Sequence, residues 1–394
     1  MNAGQWDQLA REVLAGLEAS HLTRHRRVVV PIDATHVTCG GRALINFASN
    51  NYLGLTHHPR VIEAVGQTLR TAGAGSGASA LISGYGPAHE RAEREIARWK
   101  GTQSAVLLPS GYQANHAAVQ TLAAVAERSS QPIRFLLDKL CHASLIDAVR
   151  AVGAPWRVFP HNHLQKLERL LSDDDEWAMQ VVVTESIFSM DGDAADLAGL
   201  AKMKQQHPFV LLLDEAHASG VYGPGGSGQA AELGLSGLAD ATVLTLSKAI
   251  GCVGGAVCGT ETFCQAMVNL ARAYVYSTSV PPLIAAAAIA AIGVMESEPQ
   301  LQARLRSLAR HFRSELRTAD LLVTAGDSPI IPIGMKTESA ALRAADALAE
   351  EGILALAIRP PTVPRGTSRL RITLSTSHSD DEVEQLIAAV KRLP

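Results

Sequence analysis

From residue 104 to about residue 260 the chain alternates short apolar runs with helix-period segments. The runs Ser104–Leu108, Arg134–Asp138, Trp156–Phe159, Gln180–Glu185, Val210–Asp214, Val243–Leu246 and Gly255–Cys258 predict strands. Most are apolar on both sets of alternate positions. Such strands lie buried on both faces, so the pattern predicts a mostly parallel sheet covered by helices. Upstream, residues 5–27 read as an amphipathic helix with Trp6, Leu9, Ala10, Val13, Leu14 and Leu17 on one side and a basic end, Arg24 to Arg27. Residues 44–55 predict a short strand and an Asn-rich turn, and helices follow over 57–69 and 87–99. Downstream, helices over 282–319 give way to a second alternation. Leu321–Thr324, Ile330–Ile333, Ile353–Ile358 and Arg369–Leu374 predict strands, with helices over 337–351 and 379–392. The expected division is an N-terminal arm (1–45), a large sheet domain (46–283) and a smaller C-terminal α/β domain (284–394).

Composition narrows the function classes. Of 394 residues, 47% are hydrophobic and 19% charged, which is enough apolar chain for a large core. The net charge is −3 with no run of one sign, so there is no electrostatic footprint for nucleic acid or membrane. The N-terminus has no secretory pattern, and the longest apolar run, Pro281 to Met295, is shorter than the roughly 20 residues a bilayer needs. The five cysteines form no C-x-x-C pair and read as reduced thiols of a cytoplasmic protein, with no metal site.

The strand ends carry the chemistry. Val210–Asp214 runs straight into a carboxylate, with His217 three residues on. Val243–Leu246 stops at Ser247-Lys248 and a glycine-rich turn. Ser104–Leu108 leads through Ser110-Gly111 into a helix whose free N–H groups suit a phosphate. His142 follows one strand, and Glu185 and Ser189 follow another. In a parallel sheet these ends share one edge and can converge on one crevice. A phosphate cradle, an acid, a histidine and a lysine are the parts that hold pyridoxal 5′-phosphate, where an amine meets the aldehyde and a carboxylate meets the ring nitrogen. Asp214 and Lys248 lie 34 residues apart at the ends of different strands, which suits the two ends of a flat cofactor better than a plain ion pair. The Gly/Ala/Ser-rich stretch 71–86 is too long for an idle loop inside a domain and is expected to be functional.

These motifs together resemble the α-oxoamine synthase family of pyridoxal-phosphate enzymes. The resemblance covers nearly the whole chain. It rests on FASNNYLGL (47–55), GAGSGASALISGY (73–85), SGYQANHA (110–117), CHASLIDA (141–148), TESIFSMDGD (184–193), LLDEAHASGVYG (212–223), TLSKAIG (245–251), YSTSVPP (276–282) and AIRPPTVPRGTSRLRITLSTSH (357–378). It implies the aspartate-aminotransferase-like fold, pyridoxal-phosphate fold type I, with a seven-stranded sheet and a smaller C-terminal α/β domain. It also implies a homodimer with shared active sites.

By the same resemblance, Lys248 is the lysine that binds the cofactor and serves as general base. Asp214 pairs with the ring nitrogen, His142 stacks on the ring, and His217 and Ser189 meet the phenolic oxygen. Gly111, Tyr112 and Thr245 hold the phosphate, with Ser277 and Thr278 supplied from the other subunit. Arg371, helped by Asn50, clamps the amino-acid carboxylate, as a planar guanidinium can and an ammonium cannot. Ser79, Arg359 and Thr362 complete the substrate set. The last of these motifs, which holds Arg359 to Thr362 near its start, points by the same resemblance to a decarboxylative condensation of L-alanine with a pimeloyl thioester, on coenzyme A or an acyl carrier protein. The alternatives are a glycine- and acetyl-CoA-using relative, or a non-catalytic module on the same fold. One departure stands out: Ala80 and Leu81 occupy the glycine-rich loop where relatives carry GGSR or GGTR.

Overall fold

The computed structural model describes residues 1–173, 177–319 and 324–393. They form two compact units. One comprises Met1–Ser49, Met190–Gly192 and Ser307–Pro394; the other comprises Asn50–Ser189 and Asp193–Arg306.

The first unit begins with the helix Ala3–Ala19, closed by a reciprocal capping box between Asn2 and Gln5. No residue of this helix is buried. It stops well short of residue 27. The carbonyls of His21 and Thr23, which a continuing helix would use itself, accept instead from the Arg359 guanidinium, and His21 sits at φ 55°. Three strands follow as an antiparallel meander: β1 (Val29–Pro31), β2 (His36–Cys39) and β3 (Arg42–Asn46).

The second unit is built on seven strands: β4 (Ser104–Leu108), β5 (Ile133–Asp138), β6 (Trp156–Phe159), β7 (Met179–Glu185), β8 (Val210–Asp214), β9 (Ala241–Thr245) and β10 (Gly255–Gly259). Their order is β4-β10-β9-β8-β7-β5-β6, and only β10 runs against its neighbours. Phe135 to Leu137, Val181 to Val183 and Leu211 to Leu213 are all fully buried, as both-face apolar patterning requires. β9 begins two residues before the expected start and ends at Thr245. Ala241 and Thr242 already pair with β10, while Leu246 closes the following turn by donating to Gly254. Register places Glu185 beside Asp214, and Asp214 beside Val243, on the same sheet edge. The alanine-rich helix Pro282–Ser297 buries Ala285, Ala287, Ala288 and Ala291 and packs on the helices Pro59–Ala72 and Pro87–Lys100. No single helix among the described residues is long and apolar enough to cross a membrane.

The chain returns to the first unit with β11 (Ile330–Lys336), β12 (Ile353–Leu354), β13 (Leu356–Ile358) and β14 (Ser368–Thr373). The order β11-β14-β13 makes an antiparallel sheet. The expected strand Ile353–Ile358 is divided at Ala355. Ile353 and Leu354 pair parallel with Ile45 and Asn46 of β3, and only the second half joins β14. Most of the expected strand Leu321–Thr324 lies outside the described residues.

Candidate active site

The helix Gly111–Arg128 follows β4, and Ser110 caps it by accepting the Gln113 N–H at 3.1 Å. The N–H groups of Gly111 and Tyr112 have no intrahelical partner, a consequence of helix geometry. Two glycines bring neighbouring strands close under this helix start. A Cβ on Gly111 would lie 3.1 Å from Thr245 Cβ and Oγ1, and one on Gly255 would lie 2.8 Å from Gly111 N and Cα. The Thr245 hydroxyl is 2.8 Å from the Ser247 hydroxyl. That Thr245 hydroxyl donates to the Gly254 carbonyl at 3.1 Å, so the result is a cradle of backbone N–H donors, with two hydroxyls beside it, at the positive end of an 18-residue helix.

Asp214 closes the other end of the crevice. One of its carboxylate oxygens accepts the Ala216 N–H at 2.8 Å, and the other accepts the Asn115 amide at 2.8 Å. The second hydrogen of that amide goes to the Ser144 hydroxyl at 2.9 Å. Ser144 in turn lies 2.7 Å from His142 Nδ1, which also accepts the Ser144 N–H at 3.2 Å. This chain, Asp214–Asn115–Ser144–His142, leaves the imidazole proton on Nε2. Partial desolvation lowers the basicity of His142. Asp214 opposes that shift and Lys248 adds to it.

Glu185, at the end of β7, accepts the His142 N–H at 2.5 Å. Burial raises the Glu185 pKa well above the usual carboxylate range and Asp214 reinforces the shift, with Lys248 opposing. His217, 4% exposed, bonds through Nδ1 to the Tyr52 hydroxyl at 2.7 Å, and that hydroxyl lies 3.2 Å from Asn50 Oδ1. Lys248 sits half-buried in the turn after β9.

These strand ends enclose a cavity of about 220 Å³ lined by Gly111, Asn115, His142, Asp214, Thr245 and Lys248, among others. Its chemistry matches pyridoxal 5′-phosphate from end to end. Backbone donors for a phosphate stand at one side, a fixed carboxylate for a ring nitrogen at the other, and an amine, Lys248, lines the same cavity. The sequence motifs place Gly111, Tyr112, His142, Asp214, His217, Thr245 and Lys248 together, and all seven line this cavity.

Other expected residues lie elsewhere. Ser189 is buried in the turn after β7. Thr278 forms an isolated bridge with Ser79, and Ser277 accepts from the Gln113 amide at 3.0 Å. These contacts tie the glycine-rich loop and the 276–280 segment together, and Ser76 adds 2.7 Å bonds to the carbonyls of Ser279 and Val280. In the smaller unit, Arg371 is buried on β14. Arg369, two residues earlier, is committed to Asp191 at 2.5 Å. Arg359 holds the carbonyls of His21 and Thr23, and Arg24 reaches Pro360 O at 3.5 Å. Thr362 N–H bonds to Arg359 O.

Sequence patterns do not mark Tyr52, Asn115 or Ser144 as site residues, yet all three hold site groups in place. A single signal exists for Asn115. It stands one helical turn after Gly111 and so shares the face of the cradle.

The chain as a whole is similar to several known proteins. A family model described as aminotransferase class I and II matches residues 42–390. A protein named putative 8-amino-7-oxononanoate synthase from Desulforudis audaxviator is 40% identical over 97% of this chain and 98% of its own length. An 8-amino-7-oxononanoate synthase from Saccharophagus degradans is 40% identical over 96% of this chain and 94% of its own. Among solved structures, a serine palmitoyltransferase from S. paucimobilis with bound PLP and myriocin superposes with a TM-score of 0.91 at 28% identity, over 99% of this chain and 98% of that one. An 8-amino-7-oxononanoate synthase from Francisella tularensis superposes with a TM-score of 0.76 at 29% identity, over 89% and 97%.

Proposed function

The chain belongs to the α-oxoamine synthase branch of the class I and II aminotransferases, and we propose that it is the 8-amino-7-oxononanoate synthase of biotin biosynthesis. It condenses L-alanine with a pimeloyl thioester and releases carbon dioxide and the free thiol carrier. The observation that carries this reading is the convergence of Lys248, Asp214, His142 and the helix start at Gly111 on one cavity, in a chain 40% identical to such synthases over nearly its whole length.

Pyridoxal 5′-phosphate, when bound, supplies an aldehyde for the amine and a ring that accepts the electron pair left at the α-carbon. The protein's own groups do the rest. The N–H groups of Gly111 and Tyr112 and the Thr245 hydroxyl hold the phosphate. Asp214, with two lone pairs already fixed by Ala216 and Asn115, has its remaining acceptor capacity oriented to keep a ring nitrogen protonated. Lys248 anchors the cofactor and removes the α-proton of alanine. His142, neutral and with its proton on Nε2, covers the ring and can donate to the thioester oxygen. His217, oriented by Tyr52, and Ser189 bind the phenolic oxygen. Arg371 clamps the alanine carboxylate with Asn50. Ser79 leaves room for the alanine methyl, and Arg359 and Thr362 belong to the acyl side.

A homodimer supports the site, with Ser277 and Thr278 reaching the phosphate of the opposite subunit. Exposed Leu81, Ile82 and Tyr276, on the segments joined by the Ser79–Thr278 bridge, suit burial against a second copy. Five free cysteines fit a reducing cytoplasm.

The test is a screen of amino acids against acyl thioesters with thiol release as the readout. Release with L-alanine and pimeloyl-CoA or pimeloyl-acyl carrier protein is expected. Release only with glycine and acetyl-CoA would move the chain to another member of the same family.

A further inference from the structure

Three loops on the β5–β6–β7 side of the sheet meet at His161. The ring sits on the loop after β6. Its Nδ1 lies 3.0 Å from Asp138 Oδ1, and its Nε2 lies 2.7 Å from Asp193 Oδ2. Asp138 ends β5, and its side chain is 1% exposed. Its carboxylate also accepts the N–H groups of Leu140 (2.8 Å) and Asn162 (2.9 Å), and its carbonyl accepts that of Cys141. It therefore shapes the turn that ends at His142.

Asp193 lies on the other loop. Its carbonyl accepts the Phe188 N–H, and Phe188 immediately precedes Ser189. The Phe188 ring meets the His161 ring edge-on, with centroids 4.4 Å apart at 87°. Asn162, held at φ 53°, reinforces the same junction by donating to Ala194 O at 2.9 Å.

A neutral imidazole has one N–H and can donate to only one carboxylate. Two carboxylates on opposite nitrogens are both satisfied only by the imidazolium. The same environment supports that form. Burial disfavours the charge, but the hydrogen bonds to Asp138 and Asp193 outweigh it and push the His161 pKa up to about 10.

We propose that His161 is a positioning residue, a charged clamp that locks the His142 loop to the Ser189 loop and so fixes two cofactor contacts it does not itself touch. The proposal rests on the reading of His142 and Ser189 as cofactor contacts. The clamp is also the kind of group that fails when half removed, because it leaves a buried carboxylate without its counter-charge.

The experiment titrates apo protein with pyridoxal 5′-phosphate and records both the affinity and the visible absorption of the bound cofactor. It uses wild type, His161→Gln, Asp193→Asn and the double variant, with thermal midpoints measured alongside. The expected result is roughly tenfold weaker binding in each single variant, the loss of a charge-assisted hydrogen bond, with a shifted absorption band. The double variant should bind no worse than His161→Gln, because both changes break one clamp. Wild-type affinity and spectrum in both single variants would overturn the proposal even if their thermal midpoints fall. If His161→Gln does not fold, Asp193→Asn alone decides by the same criterion. A wild-type protein that fails to bind pyridoxal 5′-phosphate would instead remove the cofactor reading, and the clamp with it.

Discussion

On the proposed reading the chemistry turns on Lys248 and Asp214, and the sequence alone singles out both as candidates. Asp214 ends an apolar run and Lys248 follows one after a single intervening residue, and charges at those points belong at the sheet edge. Replacing Lys248 with Ala should lower kcat by about 10²–10⁴-fold, the usual worth of a positioned general base. Borohydride should fix the cofactor to the Lys248 peptide of wild type and to no peptide of the variant; a labelled peptide elsewhere would move the attachment site. Tyr52, Asn115 and Ser144 are not legible, because their roles arise from contacts across the fold. Tyr52 and His217 are 165 residues apart, and Asn115 and Asp214 are 99 apart. Tyr52→Phe removes one hydrogen bond to His217 and is expected to cost about 1 kcal/mol, roughly fivefold to tenfold in kcat. An unchanged kcat would show that His217 is oriented without it. Arg371→Lys should raise the KM for alanine about tenfold or more with cofactor affinity retained, since an ammonium cannot make the bidentate contact. An unchanged KM would dismiss the clamp.

At the scale of elements, both-face apolar strands make the large sheet readable, while short elements with mixed partners do not show themselves. The division of Ile353–Ile358 between two sheets depends on β3, more than 300 residues earlier in the chain. No local pattern could announce that. Nor could a pattern show that the glycine-rich loop contains a single π-turn, Ala80–Gly84, or how its end is fastened. Tyr85 donates to Glu93 at 2.7 Å, and Glu93 also accepts the Leu107 N–H at 2.8 Å.

Burial pushes the Glu93 carboxyl up to about 7 despite those two donors. Between its ordinary value of 4.5 and 7 the folded state holds a proton that the unfolded chain releases, so Glu93 makes stability fall as pH rises through that window. Glu93→Gln should therefore raise the thermal midpoint more at pH 8 than at pH 5. Equal shifts at the two pH values would contradict the burial of an ionisable Glu93. The close approach at the phosphate cradle gives a second test at this scale. Gly255→Ala would place a Cβ 2.8 Å from Gly111 N, and the resulting displacement of the helix start should weaken pyridoxal-phosphate binding.

For the whole molecule, the ordered motifs carry further than the physics of any one segment. Composition and alternation give an α/β chain with a large core. The nine motifs in order lead to the family, and the cavity brings seven of the expected cofactor residues together. The proposed homodimer belongs to this scale. The exposed Leu81, Ile82 and Tyr276 predict a dimer by light scattering, and an active monomer would contradict the shared-site reading.

The chemistry of this cavity turns on whether it joins decarboxylation to acyl transfer. L-Alanine labelled with ¹³C at the carboxyl carbon, supplied with pimeloyl-CoA or pimeloyl-acyl carrier protein, tests that in one measurement. All the label is expected in carbon dioxide, with one free thiol for each carbon dioxide and an unlabelled amino-ketone product. Label retained in pyruvate, with no thiol released, would mark an amino-transfer enzyme and contradict the condensation.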